Sequence, residues 1–288
     1  MRLRVDWFAA VPYVPTLGVV HPAAVTQRLL ADVVAVNGTG VFLPYDHGRR
    51  WAAHKDESIL LDAVLERPAG VVIPTLSRCG GGTVTVYDFG GTPDLGVLGE
   101  MASRWAGEHG AGVARIRWFQ PAGHTPDVVA GVNVVRILLE TFHTVEPLAS
   151  GVRDLAEAPG AVRGTFSAFT HALAAEGFAF LHERMRAGAV EGPVLVAVED
   201  GRVVGAIGPM QTMPDPVGAR RLLPQYFGVL PEARGRGHGR ALWRAAVAWG
   251  AAHGAAYQLL QAQVGGASER ICLTEGLTTL GFVFTRRS

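Results

Sequence analysis

The densest chemistry in this 288-residue chain lies in one stretch, Val229-Leu230-Pro231-Glu232-Ala233-Arg234-Gly235-Arg236-Gly237-His238-Gly239-Arg240. Glycines at 235, 237 and 239 remove side chains where backbone N–H groups must come close to an anion. Arg234, Arg236 and Arg240 bring full positive charge for phosphate oxygens. An apolar run ends just before the stretch and a helical pattern starts just after it. A helix N-terminus would therefore add its partial positive charge. The combination suits a pyrophosphate.

Spacing narrows the ligand. A dinucleotide fingerprint G-x-G-x-x-G counted from Gly235 or Gly237 needs glycine where Arg240 or Leu242 stands. A nucleoside-triphosphate loop needs a lysine behind its glycines, and Lys55 is the only lysine in the chain. Its setting, Trp51-Ala-Ala-His54-Lys55-Asp56-Glu57, has no glycine loop and reads as a solvated helix face.

Other chemistries find little support. No His, Cys, Asp or Glu set has zinc spacing, and no G-x-S-x-G elbow occurs. Cys79 and Cys272 read as one buried free thiol in each half, which fits a reducing cytoplasm. Lys plus Arg number 26 against 25 Asp plus Glu, a net charge of +1, so no bulk field draws the protein to nucleic acid or an anionic membrane. Arg115 and Arg117, on either side of Ile116, are too few for a nucleic-acid face. A hydrophobic content of 49% is enough for a sizeable core, yet no run is long enough to span a membrane. Asp6, Pro12 and Pro15 interrupt the first apolar residues, against a signal peptide.

The elements that must hold the loop follow from pattern. Asp200-Gly201 between two β-branched runs predicts a hairpin over 194–209, and Gln225 to Leu230 predicts a buried strand stopped by Pro231. Leu242, Ala245, Ala246, Trp249 and Ala252 recur at helical spacing, and Gly254 ends that helix. A strand over 257–264, a short helix after Gly266 and a last strand near Phe282 complete this half. Upstream, 163–187 reads as helical with a break at Gly177.

The N-terminal half echoes the order: a strand over 83–89, a helix over 95–109 with Asp94 at its cap, and a strand over 113–119. The shift that carries Trp105 onto Trp249 also carries Leu98 onto Leu242, Ala102 onto Ala246, and His109-Gly110-Ala111 onto His253-Gly254-Ala255. This register leads one to expect an internal duplication, with chance similarity between two amphipathic helices as the alternative.

The pattern R-x-x-G-x-G (Arg234, Gly237, Gly239) after a V-x-P strand end, following an E-D-G hairpin and preceding a terminal Leu280-Gly281-Phe282, resembles the GNAT superfamily of acyl-CoA-dependent N-acyltransferases. The resemblance covers roughly 130–288. It implies an α+β fold with a mixed, mostly antiparallel sheet flanked by helices, here in two tandem copies. Residues 1–130 would be a degenerate copy without the phosphate loop, shaping or covering the acceptor cleft, and 131–288 the acyl-CoA-binding domain.

By the same resemblance, the backbone at Val229 and Leu230 would pair with the pantetheine arm and polarise the thioester carbonyl. Arg234, Gly235, Arg236, Gly237, His238, Gly239 and Arg240 would hold the pyrophosphate of acetyl-CoA. The implied reaction is acetyl transfer to a primary amine of a small molecule or a peptide N-terminus. Another acyl-CoA or thioester-processing enzyme and a non-catalytic acyl-CoA-binding module stand as alternatives.

The tyrosine that family members often place four residues before the glycine of L-G-F is here Leu277, so the proton for the leaving thiolate needs another source. Tyr226 is the candidate, on a strand that holds no carboxylate; Glu269 and Glu275 are more distant ones, read by default as a solvated helix face.

Overall fold

The structure, a computed structural model, describes residues 2–68, 70–127, 129–142 and 151–288. The chain divides into two compact units, one of Met1–Leu139, Asp215–Val217 and Leu259–Ser288, the other of Glu140–Pro214 and Gly218–Gln258. These are not the contiguous halves 1–130 and 131–288 that the sequence leads one to expect. The last residues of the chain go back to the first unit, for a reason visible in its sheet.

In chain order the first unit holds β1 (Tyr13–Val14), β2 (Gly18–Val19), α1 (Gln27–Val36), β3 (Glu57–Ile59), β4 (Leu65–Arg67), β5 (Gly70–Ser77), β6 (Thr83–Asp88), α2 (Leu95–Glu108), β7 (Val113–Pro121) and most of β8 (Asn133–Thr141). The second unit holds β9 (Val152–Asp154), α3 (Gly160–Ala172), α4 (Phe178–Arg186), β10 (Leu195–Glu199), β11 (Arg202–Gly208), β12 (Thr212–Pro214), β13 (Arg220–Leu222), β14 (Tyr226–Val229) and α5 (His238–Ala252). Then come β15 (Tyr257–Gln263), α6 (Ala267–Thr274) and β16 (Thr278–Arg287).

β16 pairs antiparallel with β7, from Gly281↔Pro121 to Arg287↔Arg115, and on its other edge with β8, from Thr278↔Leu139 to Thr285↔Asn133. Phe282 and Phe284 are buried with Val84, Val86, Trp105, Ile116 and Trp118. Removing a strand bonded on both edges would strand two ladders of backbone donors and acceptors, so β16 is integral to the first unit.

Within that unit β6 and β7 run parallel over Thr83↔Val113 to Asp88↔Trp118, with α2 as the crossover between them. Asp94 caps α2 by accepting from the N–H groups of Gly96 and Val97 at 3.0 and 3.1 Å.

Two expectations for this unit fail. Lys55 lies in no helix and on no solvated face: its side chain is only 10% exposed, and its ammonium pairs with Asp46 and donates to the Thr16 carbonyl at 2.6 Å. Such a partner offsets part of the cost of taking the side chain out of water. Cys79 is exposed on a short turn; only Cys272 is buried.

The second unit is built on a four-stranded sheet in the order β14-β11-β10-β9. The β10–β11 turn uses Asp200 and Gly201 with φ of 49° and 75°, the two positive values that a tight primed hairpin demands. α5 packs on one face, where a Cβ at Gly205 would come within 2.9 Å of Leu242. α4 and the chain leading into it pack on the other, where a Cβ at Gly228 would come within 2.8 Å of Leu173 and 2.9 Å of Phe178. Glycine at both places lets helix and strand approach closely. The α3–α4 break falls at Gly177, with φ of +88°.

The duplication register holds in the elements: the Trp105-to-Trp249 shift lays α2 on α5 to within one residue and the start of β7 on the start of β15. The architecture is α+β, with mostly antiparallel sheets. Among the described residues no helix is long and apolar enough to cross a membrane, and no three His, Cys, Asp or Glu are grouped to hold a metal ion.

Candidate active site

β14 ends its sheet and carries β11 on one edge. The Leu230 N–H donates to the Val204 carbonyl at 2.9 Å, so this pair is closely bonded. Closely bonded pairs alternate along an antiparallel ladder, which makes Gly228 and Tyr226 the next to bond to β11. Phe227 and Val229 therefore turn their backbone N–H and C=O groups to the open edge. The expectation that either Val229 or Leu230 could present an N–H is thus corrected to Val229, because the Leu230 N–H is spent inside the sheet. The Val229 carbonyl meets the Nε of Arg234 at 3.1 Å.

The segment before β14 has a different neighbour. β13 pairs parallel with the start of β15 at Arg221↔Tyr257 and Leu222↔Gln258. Pro224 follows, which cannot donate to a ladder, and the chain crosses to β11. This change of partner is what leaves the far edge of β14 open.

Beyond Leu230 the chain makes a turn at Pro231–Ala233, extends at Arg234, and takes φ of +80° at Gly235 and +88° at Gly237. An added Cβ at either glycine would meet nothing within 4 Å, so backbone conformation, not crowding, requires them and the concave side faces open space. Gly237 is the N-cap of α5 and no side chain caps that helix end. The first bond back into the helix comes from the Ala241 N–H to the Gly237 carbonyl at 3.0 Å. The N–H groups of His238, Gly239 and Arg240 precede it and have no acceptor within the helix. Helix α2 shows the contrast: the carboxylate of Asp94 already occupies its N-terminus.

The loop's side chains are arranged around one carboxylate. Arg236 donates from Nη1 to both oxygens of Glu199 at 2.9 Å, and His238 Nε2 lies 3.7 Å from Glu199 Oε2. The Arg236 hydrogen bond holds the Glu199 carboxyl below its ordinary range. This contact joins residues far apart in the chain, and no local pattern in the sequence announces it. Arg234 and Arg240 are exposed.

Tyr226 is half-buried on the α4 face of β14, its ring 6.2 Å from that of Phe178 and 6.4 Å from that of Phe180. A Cβ at Gly177 would overlap the Tyr226 ring, so that glycine serves both the helix break and the tyrosine.

Leu277 is buried and aliphatic. Glu269 is buried and, contrary to the expectation of a solvated face, pairs with Arg136 at 2.6 Å and accepts from the Gly265 N–H at 2.6 Å. Both of its oxygens are engaged, and it ties the turn before α6 to Arg136 of β8. A hollow of about 710 Å³ in the second unit is lined by Asp154, Arg163, Met185, Trp249 and His253 among others, and the 234–240 loop takes no part in it.

Residues 163–269 match the family model described as the acetyltransferase (GNAT) family. No curated protein matches the chain by sequence. Among solved structures, an acetyltransferase of the GNAT family from Colwellia psychrerythraea is 9% identical, with a TM-score of 0.50 over 91% of this chain and 97% of that one. A GCN5-related N-acetyltransferase from Sphaerobacter thermophilus is 16% identical, with a TM-score of 0.48 over 83% of each chain. A tandem GNAT protein from the clavulanic acid biosynthesis pathway is 16% identical, with a TM-score of 0.44 over 78% of this chain and 81% of that one. Residues 163–269 thus resemble an enzyme domain of the acetyltransferase (GNAT) family.

Proposed function

We propose that this domain transfers an acetyl group from acetyl-CoA to a primary amine of a small molecule or a peptide N-terminus. The observation that carries the reading is the continuity of two unfilled binding features along one piece of chain. The free edge of β14 at Phe227 and Val229 runs straight into the uncapped N-terminus of α5.

The residues fit the parts of acetyl-CoA in order. The amide-bearing pantetheine arm adds to the β14 edge as a short strand, satisfying the backbone groups of Phe227 and Val229. Its pyrophosphate lies in the turn of Gly235 and Gly237, on the N–H groups of His238, Gly239 and Arg240. Arg234 and Arg240, both exposed, close on the phosphate oxygens. The thioester then lies at the Val229 N–H, which withdraws charge from its carbonyl oxygen as the amine attacks. Tyr226, three residues back on the same strand, serves as the proton carrier for the departing thiolate. Acetyl-CoA itself supplies an activated acyl group and a good leaving group.

The test is release of free CoA thiol across a panel of small primary amines and short peptides with free N-termini. Amine-dependent release with acetylated product by mass supports the reading. Acetyl-CoA binding without release for any amine would make the domain a binding module, and hydrolysis without amine dependence would make it a thioester-processing enzyme.

A further inference from the structure

We propose that the first unit carries a binding site of its own, for a small organic monocarboxylate, on the sheet face turned away from α2. The inference is independent of acetyl transfer. Its starting point is the two-residue alternation of β6 and β7. Val84, Val86, Ile116 and Trp118 point to α2 and are buried with Leu98 and Trp105. The register then sets Thr85 beside Arg115 and Tyr87 beside Arg117 on the opposite face. β5 adds Thr75 opposite Thr85, and β3 adds Glu57 at the same level as Ser77. A covered sheet face ordinarily carries apolar residues; this one carries two arginines, a glutamate and hydroxyls.

The face is the floor of a hollow of about 530 Å³, walled by Tyr13, Phe42, Trp51 and Lys55. That volume is in the range of small-molecule sites, which run to roughly 300–1,000 Å³.

The charges inside do not close on themselves. Asp46 is engaged with Lys55. Glu57 accepts from Thr75 Oγ1 at 2.9 Å and from the Tyr87 hydroxyl at 3.3 Å, and makes no ion pair with either arginine. Arg117 donates to the Tyr13 hydroxyl at 2.8 Å and the Tyr87 hydroxyl at 3.4 Å, while its buried Nε has no partner. The Arg115 guanidinium has no hydrogen-bond or ion-pair partner among the described residues. Burial, and then the charge of Arg117, push Arg115 down from its ordinary value. Asp56 is an exposed part of the lining, and Arg287, exposed on β16 directly opposite Arg115, balances the charge of Asp56.

Two guanidiniums on one strand face, one intervening residue apart, thus look onto a single carboxylate that touches neither. The excess is one positive charge. A planar carboxylate supplies what is missing: two oxygens for paired N–H donors and one negative charge. A dianion would set its second charge against Glu57. The rings of Tyr13, Tyr87, Phe42 and Trp51 are suited to the organic body of such a ligand.

The experiment is calorimetric titration of the full chain with benzoate and hexanoate, with benzamide as a neutral isostere and phenyl phosphate as a dianionic one. Saturable binding of at least one carboxylate is expected, with benzamide failing and phenyl phosphate weaker. Arg115→Gln should cost at least about ten-fold in carboxylate affinity. It should leave the thermal midpoint unchanged or raised, because it removes a like charge beside Arg117; a purely structural arginine would lower it. Arg117→Gln, which also gives up two tyrosine contacts, should lose binding as well. The proposal is overturned if neither carboxylate saturates, if benzamide binds equally, if phenyl phosphate binds more tightly, or if both variants bind as the parent does.

Discussion

Arg236 grips Glu199 with one nitrogen at 2.9 Å from each carboxylate oxygen, and so ties the phosphate loop to the end of β10. The contact is on the surface, where such pairs add little stability. What it does is hold the Arg236 side chain against the end of β10. Glu199 should therefore titrate below the ordinary 4.5. A depressed carboxyl favours the folded loop above its unfolded pKa, and that contribution fades as pH falls through the folded value. Side-chain carboxyl NMR should find the low value in the parent and a return to the ordinary range in Arg236→Gln; no change would mean that the pair does not persist in solution.

Gly237 has φ of +88° with open space around it. Gly237→Asp puts a negative charge where the pyrophosphate is proposed to sit, while aspartate and asparagine tolerate this backbone better than most residues. Gly237→Asp should abolish CoA binding with the circular dichroism spectrum preserved. Gly237→Asn, the uncharged isostere, should keep a measurable part of it. Equal binding by Gly237→Asp and the parent would place the anion elsewhere.

Tyr226 carries the proposed proton transfer. Tyr226→Phe keeps the ring against Phe178 and Phe180 and removes only the hydroxyl. General acid–base groups contribute roughly 10²–10⁴-fold, so kcat should fall by about two orders of magnitude with little change in KM for acetyl-CoA. An unchanged kcat assigns Tyr226 to packing alone.

Gly177 is held by both its φ of +88° and the ring of Tyr226. Gly177→Ala should cost about 1–2 kcal/mol from the left-handed backbone alone, and more from displacing the ring. Thermal unfolding measures the first, and a change in tyrosine fluorescence or in kcat the second. A neutral substitution would contradict the packing described for α4 and β14.

Most of the second unit was legible in the sequence because its signals are local. Asp200-Gly201 fixes a hairpin, three- and four-residue spacing fixes α5, and closely spaced glycines mark the loop. At the end of α5, His253 Nδ1 lies 2.7 Å from the Trp249 carbonyl and its ring stacks on Trp249 at 3.8 Å. What was not legible is long-range. The apolar run around Phe282 announces a strand but not that β16 belongs between β7 and β8. Lys55 looked solvated because nothing near it in sequence pairs with it, whereas Asp46 and the Thr16 carbonyl come from separate turns. Glu269 was misjudged for the same reason, since Arg136 lies far upstream. The direction of the Val229 and Leu230 N–H groups depends on which pairs of the β11–β14 ladder are closely bonded, and a strand pattern alone does not encode that phase.

The central claim is that the β14 edge and the α5 N-terminus together bind acetyl-CoA. Calorimetric titration of the full chain with acetyl-CoA and with free CoA tests it most directly. The account predicts micromolar binding of both, weakened by Arg234→Gln and lost in Gly237→Asp. Absence of binding to either would contradict it and leave 229–240 as a turn for a different anion.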